Sequence, residues 1–200
     1  GARAGRSPAG FPRAPLHAFH GRARELHRLE RAFRLHRAVL LHAMGGMGKT
    51  TLAREAAFWW TRTGTFADGA CFVSFEQGLG AEQVVNTLGT YLDGEQFAAL
   101  PPPQQRARAV ELFQQKRVLV VWDNFESVLP QFADQDAPLF DDDKRGQLIE
   151  LYRDLTEGRG QGRLLITCRP EETPLAGAAK IPLSGLSRPD SLYLLAQVLS

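Results

Sequence analysis

The residues with the clearest chemical capacity lie between Met44 and Thr51, in the run Met-Gly-Gly-Met-Gly-Lys-Thr-Thr. Its glycines allow the backbone to curl and to point several N–H groups inward. Lys49 adds a full positive charge, and the hydroxyl of Thr50 is a hard oxygen ligand of the kind that Mg²⁺ accepts. Together these groups predict a loop that holds phosphates beside a metal ion.

The segments on either side position this loop. The apolar run 39–41 predicts a strand before it, and residues 51–62 predict a helix after it, which is the layout of a P-loop. The helix N-terminus adds further N–H groups and partial positive charge. The usual pattern has glycine where this chain has Ala43, a mild departure provided that its φ is negative; the alternative is a glycine-rich turn that precedes Lys-Thr by coincidence. The residues predicted to bind the cofactor in this loop are Met44, Gly45, Gly46, Met47, Gly48, Lys49, Thr50 and Thr51.

Asp123 is the second candidate, because it ends the apolar run Val-Leu-Val-Val-Trp that begins at Val118. Such a continuous run indicates a buried parallel strand, and a carboxylate at its C-terminal end lies where open α/β sheets bind ligands. This is the expected position of the acid that holds Mg²⁺ through water, known as Walker B. Thr50 and Asp123 are therefore the predicted metal ligands.

Arg169 is the third candidate. It follows the apolar run 164–168, which predicts a strand that ends at the same edge of the sheet as Asp123. An arginine there can contact a γ-phosphate and respond to its presence; the alternative is a surface arginine after a strand.

Apolar runs that alternate with helical patterns predict a parallel sheet with helices on both faces. Residues 1–17 have the composition of a linker, rich in Ala, Gly, Arg and Pro, and are predicted to form no packed core of their own. Trp59 and Trp60 are both expected to pack in the core of the domain. The predicted strands are 39–41, 70–75, 118–122, 162–170 and 180–184, and the predicted helices are 23–36, 51–62, 81–92, 104–115, 144–157 and 188–200.

Composition limits the classes of partner. A net charge of +2 over 200 residues does not indicate a nucleic-acid partner for the whole chain, although residues 1–37 carry nine Arg against two Glu. That arm either contacts nucleic acid or is a solvated basic face, and the second interpretation is favoured. Asp141 to Asp143 either bind a cation or, as favoured, stabilise a helix N-terminus. Two cysteines in apolar runs favour a reduced, cytoplasmic setting, and the sequence shows no membrane span or signal peptide.

These motifs, in this order, resemble the nucleotide-binding domain of STAND NTPases of the NB-ARC type. The run from Phe19 to Leu26 is similar to the family's first motif, which implies that His20 and Arg22 lie near the adenine. The P-loop, the strand ending at Asp123 and the strand before Arg169 match the following motifs. The resemblance implies a three-layer P-loop NTPase fold with a five-stranded parallel sheet of order 5-1-4-3-2. It also implies a linker over 1–18 and one domain over 19–200, cut from a longer protein before its helical arm and winged-helix domain.

The resemblance further implies an ATP/ADP switch with Mg²⁺, sensor and effector domains in the same protein, and homo-oligomers on activation. Many P-loop ATPases carry a second acid directly after the metal-binding Asp, where this chain has Asn124, so slow hydrolysis is expected. Glu126 is nearby and is the candidate replacement. The predicted catalytic residues are Lys49, Asp123, Glu126 and Arg169. Two alternatives stay open: a P-loop kinase or other turnover ATPase, and a nucleotide-regulated DNA-binding regulator. Defence and transcriptional roles are both compatible with the sequence.

Overall fold

Five strands form one sheet, in the order β2-β3-β4-β1-β5, and every neighbouring pair is parallel. The structure is a computed structural model that describes residues 6–13, 22–133 and 138–184. The predicted fold class and strand order are both confirmed. The strands are β1 (Ala38–His42), β2 (Gly69–Ser74), β3 (Val118–Asp123), β4 (Arg163–Cys168) and β5 (Ala179–Pro182).

Apart from residues 95–98, where no helix was predicted, the described helices begin and end within a few residues of their predicted bounds. Pro102 opens α5, where a missing N–H costs nothing, and the carboxylate of Asp141 accepts a hydrogen bond from the backbone N–H of Lys144 at the start of α6, 2.8 Å away. The acidic run 141–143 therefore stabilises a helix N-terminus, which is the interpretation that the sequence favoured over cation binding. The helices are α1 (Ala23–Leu35), α2 (Lys49–Arg62), α3 (Ala81–Asp93), α4 (Glu95–Ala98), α5 (Pro102–Gln115) and α6 (Asp142–Thr156).

Two apolar cores cover the two faces of the sheet, because successive strand residues point to opposite sides. In β3, Val120 and Trp122 pack towards α3, α5 and α6, whereas Leu119 and Val121 pack towards α1 and α2. All six residues of β3 are buried. The continuous apolar pattern of this strand thus reflects a central position with helices on both sides.

Two sequence predictions differ from the structure. Trp60 is buried, but Trp59 is 48% exposed, and the guanidinium of Arg62 lies 5.3 Å from the centre of its ring. Residues 6–13, predicted as part of a linker, lie against the edge of the sheet, where Ala9 pairs with Cys71. The predicted helix 188–200 and the 18/19 domain boundary lie outside the described residues.

The parallel arrangement brings the C-terminal ends of β1, β3 and β4 to one edge of the sheet.

Arg24, Arg28 and Arg31 are exposed on α1, as the basic pattern predicted. In the described part of the chain, no helix is both long and apolar enough to cross a bilayer.

Candidate functional site

The loop between β1 and α2 is shaped by its glycines. Gly46 and Gly48 have φ angles of 77° and 82°, a region that favours glycine. A Cβ added at either position would meet no atom within 4 Å, so the loop borders open space. Among the described residues Asn124 is the only non-glycine with positive φ, so Ala43 replaces the usual glycine without strain.

The first turn of α2 faces the same space. Gly48 is its N-cap, and no side chain caps the turn. The N–H groups of a first helical turn have no partner within the helix and carry partial positive charge. Thr51 lies in this turn and is half-buried. Local geometry therefore provides an open cradle whose polarity suits an anion.

Lys49 lies at the mouth of this cradle and is 7% exposed. Its Nζ donates hydrogen bonds to the backbone carbonyls of Ala43, at 2.7 Å, and Met44, at 3.1 Å. The ammonium is thus held beside the loop by two weak acceptors that a phosphate oxygen can replace. The side chain of Met44 is 81% exposed beside it.

Asp123 receives hydrogen bonds from two threonines. The hydroxyl of Thr50 donates to its two carboxylate oxygens at 2.9 and 3.0 Å, and the hydroxyl of Thr167 donates to Oδ1 at 2.6 Å. The structure therefore brings the two predicted metal ligands into direct contact. A hydroxyl and a carboxylate are both hard oxygen donors, so this pair fits a Mg²⁺ ion that keeps most of its waters.

The electrostatics of Asp123 disfavour its charge in the absence of a cation. Burial raises the pKa of its carboxyl above the usual value, the hydrogen bonds from Thr167 and Thr50 lower it, and the nearby charges of Glu126 and Glu76 raise it further. A divalent cation would offset that cost.

Thr167 lies in the run 164–168, for which the sequence predicted a strand but no further role. Its side chain is fully buried, and its oxygen also accepts a hydrogen bond from the backbone N–H of Asn124 at 3.1 Å. Asn124 adopts a left-handed conformation with φ 56°. Thr167 thus ties the end of β4 to the end of β3.

Glu126 and Arg169 form an ion pair, with Nε of Arg169 3.0 Å from Oε1 of Glu126. Glu126 is 6% exposed, and its Oε2 is buried without a hydrogen-bond partner among the described residues. A Cβ built on Gly45 would lie 3.8 Å from Cζ of Arg169, so the guanidinium extends over the P-loop. The structure therefore brings both predicted residues to the phosphate cradle.

Arg22 is 6% exposed and holds three segments together. Its guanidinium donates to the carbonyl of Met47 at 3.2 Å, to the carbonyl of Ser184 at 2.6 Å and to the carboxylate of Glu25 at 3.2 Å. In this structure Arg22 stabilises the P-loop through its hydrogen bond to the carbonyl of Met47. His20, the other residue predicted near the adenine, lies outside the described residues.

The comparisons with known proteins agree with this geometry. A sequence model described as "NACHT domain" matches residues 37–200. The chain belongs to the NACHT domain family. NACHT domains are STAND-class NTPases, so the predicted class is confirmed, and the family that matches is NACHT rather than NB-ARC. The domain is a nucleotide-binding P-loop NTPase module. No curated protein matches the chain.

Three solved structures share the fold. The Walker-type ATPase PABY2304 of Pyrococcus abyssi has a TM-score of 0.58 at 16% identity, over 88% of this chain and 57% of that one. A STAND protein with a tetratricopeptide repeat sensor, PH0952 from Pyrococcus horikoshii, has a TM-score of 0.60 at 18% identity, over 95% and 27%. A DNA replication initiation factor has a TM-score of 0.53 at 12% identity, over 92% and 52%. At these identities the likeness shows the fold alone, and the chain spans little more than half, or less, of each of these proteins.

Proposed function

We propose that this NACHT domain is the ATP/ADP-binding switch of a larger signalling protein, and that it binds Mg-ATP and hydrolyses it slowly. The observation that carries the proposal is the meeting of four groups at one edge of the sheet. They are the ammonium of Lys49, the Thr50–Asp123 oxygen pair and the guanidinium of Arg169, which extends over the loop. These are the charges that a nucleotide triphosphate with a metal ion requires.

Each group has a distinct task in this proposal. The N–H groups of the loop and of the first turn of α2 hold the phosphates, and Lys49 exchanges its two carbonyl acceptors for phosphate oxygens. Thr50 and Asp123 would hold the Mg²⁺ ion, which would neutralise part of the charge of the phosphates. Arg169 contacts the γ-phosphate, which is the group that distinguishes ATP from ADP.

Slow hydrolysis follows from the residues around Asp123. The position after it is Asn124, whose amide lies 3.5 Å from the Ser74 hydroxyl and cannot accept a proton as a general base does. The nearest alternative base, Glu126, is paired with Arg169. One carboxylate oxygen of Glu126 is already neutralised by this ion pair, so the base becomes available only when Arg169 turns to the phosphate.

This coupling suits a switch better than a turnover enzyme. Loss of the γ-phosphate returns Arg169 to Glu126, so the ion pair is present in one nucleotide state and broken in the other. Sensor and effector domains of the same protein would detect the difference, and ATP-state domains would associate with further copies. The tetratricopeptide repeat sensor of the Pyrococcus horikoshii protein supports the presence of such a sensor.

Calorimetric titration with ADP and with a slowly hydrolysed ATP analogue tests the proposal. Lys49→Ala should abolish binding while circular dichroism stays unchanged, because Lys49 contacts loop carbonyls and not the apolar core. Lys180→Ala is the matched control, since Lys180 lies on β5 and pairs loosely with Glu171 at 3.9 Å. Unchanged affinity in Lys49→Ala would remove the basis of the proposal, and rapid phosphoryl transfer to an acceptor would favour a kinase instead.

A further inference from the structure

The free edge of β2 is covered by the chain's own N-terminal segment. β2 is the last strand on its side of the sheet. The N–H of Ala9 donates to the carbonyl of Ala70 at 2.9 Å, and the N–H of Phe72 donates to the carbonyl of Ala9 at 3.1 Å. Residues 6–13 therefore continue the parallel ladder for one residue pair, as an added strand does.

An aromatic side chain anchors the C-terminal half of this segment. The ring of Phe11 lies between those of Phe58 and Phe72, with centroids 5.6 and 5.1 Å away. Nε of Arg54 donates to the carbonyl of Pro12 at 2.9 Å, and its guanidinium lies over the ring of Phe58. α2 and β2 thus form a notch for one aromatic ring, with a backbone acceptor bound beside it.

A tyrosine anchors the N-terminal half. The hydroxyl of Tyr91 donates to the carbonyl of Ser7 at 2.9 Å and accepts the N–H of Ala70 at 3.1 Å. The guanidinium of Arg6 lies 4.9 Å from the centre of the Tyr91 ring and donates to the carbonyl of Leu92 at 3.2 Å. The groove therefore recognises an arginine, a short extended backbone and an aromatic residue at fixed spacing.

We propose that this edge of β2 is a peptide-docking groove, and that residues 6–13 are its replaceable ligand. Among residues 6–13 a single pair, Ala9 with Cys71, forms a bridge, and Gly10 directly after it has φ 78°, which is not the conformation of a regular strand. Phe11 is half-buried rather than buried. A cavity of about 260 Å³ adjoins Gly10 and continues along β2 to Ser74. The segment is held by a few specific contacts, which is the pattern of a docked peptide and not of a core strand.

Docking and release of this segment would affect the whole protein independently of the nucleotide chemistry. While the segment is docked, it covers the edge of β2. When it leaves, an unpaired strand edge becomes available to a segment of the same chemistry. The occupant to which we commit is the chain's own segment 6–13.

Gly10→Val is the variant that opens the groove without altering it. Gly10 has φ 78°, and an added Cβ would lie 2.8 Å from the carbonyl oxygen of Phe72, so a valine cannot stay in this position. Arg13→Ala is the matched control, because Arg13 is exposed at the end of the same segment. Trypsin cleavage after Arg6 reports release of the segment, and Phe11→Asp is a second opening variant.

The probe is a fluorescent peptide with the sequence of residues 6–13, followed by anisotropy on the full chain. We expect the peptide to bind Gly10→Val at least about tenfold more tightly than it binds the wild type or Arg13→Ala, because the grooves of these two proteins are occupied. The peptide with alanine in place of Phe11 should bind at least about tenfold more weakly. Equal binding of both peptides, or no binding to the opened chain, would overturn the proposal. Resistance of both opening variants to trypsin would also overturn it, since the segment would then not be replaceable.

Discussion

Replacing Thr167 by valine removes one hydroxyl from the centre of the site and almost nothing else. The side chain is fully buried and its hydroxyl donates to Asp123 at 2.6 Å. Valine has nearly the same shape and volume as threonine, so the effect of the change comes from the lost hydroxyl and not from the packing. The change leaves Asp123 with Thr50 as its remaining side-chain donor and leaves the N–H of Asn124 without its acceptor.

The magnitude follows from these two losses. Removing a group that orients a metal-binding carboxylate by a hydrogen bond typically costs about 10–100-fold in metal affinity. We expect the affinity for Mg-nucleotide to fall by the same factor, roughly ten- to a hundredfold. The unpaired N–H of Asn124 adds a loss of about 1–3 kcal/mol in the free energy of unfolding.

Calorimetry with and without EDTA separates positioning of the carboxylate from general damage. Thr167→Val should weaken binding with Mg²⁺ far more than binding without it, and Asp123→Ala sets the upper limit of that difference. Thr167→Ser keeps the hydroxyl and should restore most of the affinity. An equal loss in both conditions, or no rescue by serine, would refute the reasoning.

Three further predictions concern the charged groups of the site. Because burial raises the pKa of Asp123, the folded state binds its proton more tightly than the unfolded state does. The metal-free domain should therefore lose stability as the pH rises from about 3.8 through the raised pKa, and urea unfolding should show no such slope in Asp123→Asn. Glu126→Gln should lower the hydrolysis rate about 10²–10⁴-fold with little change in nucleotide affinity, if its free oxygen takes the proton; an unchanged rate would assign that step elsewhere. Arg169→Ala should weaken ATP binding more than ADP binding in calorimetry, and an equal loss would contradict γ-phosphate contact.

The parts of the site that lie close together in sequence could be predicted without a structure. The P-loop is contiguous, and its glycine spacing encodes its backbone. The position of Asp123 at the C-terminal end of a buried parallel strand could be predicted, because the apolar run of that strand stops directly before it. The sheet order came from resemblance to a family, since strand order depends on long-range pairing.

Contacts between distant segments could not be predicted. The Glu126–Arg169 ion pair joins residues 43 apart, and its formation depends on the direction of two side chains. Arg22 was expected near the adenine, and only the fold shows its bonds to the carbonyls of Met47 and Ser184. In the sequence Thr167 is an ordinary strand residue, and its contact with Asp123 is apparent only from the pairing of β3 with β4.

Three differences from the prediction have a local physical cause. Trp59 and Trp60 are about 100° apart around a helix, so one of the two faces away from the sheet. The composition of residues 6–13 is that of a linker, and the contacts of the segment depend on the distant strand β2 and on aromatic rings that its own pattern does not reveal. Helix α4 was missed because four residues are too few for a periodic signal.

Single-turnover hydrolysis by the wild-type domain tests the central claim most directly. Excess protein is mixed with radiolabelled ATP and Mg²⁺, and the cleaved phosphate is followed over time. With Asn124 after the metal-binding acid, and with Glu126 available only once Arg169 has turned to the phosphate, the rate should fall below ~1 s⁻¹, the lower limit of typical enzyme turnover. Turnover at tens per second would contradict the slow switch and would identify the domain as a working ATPase.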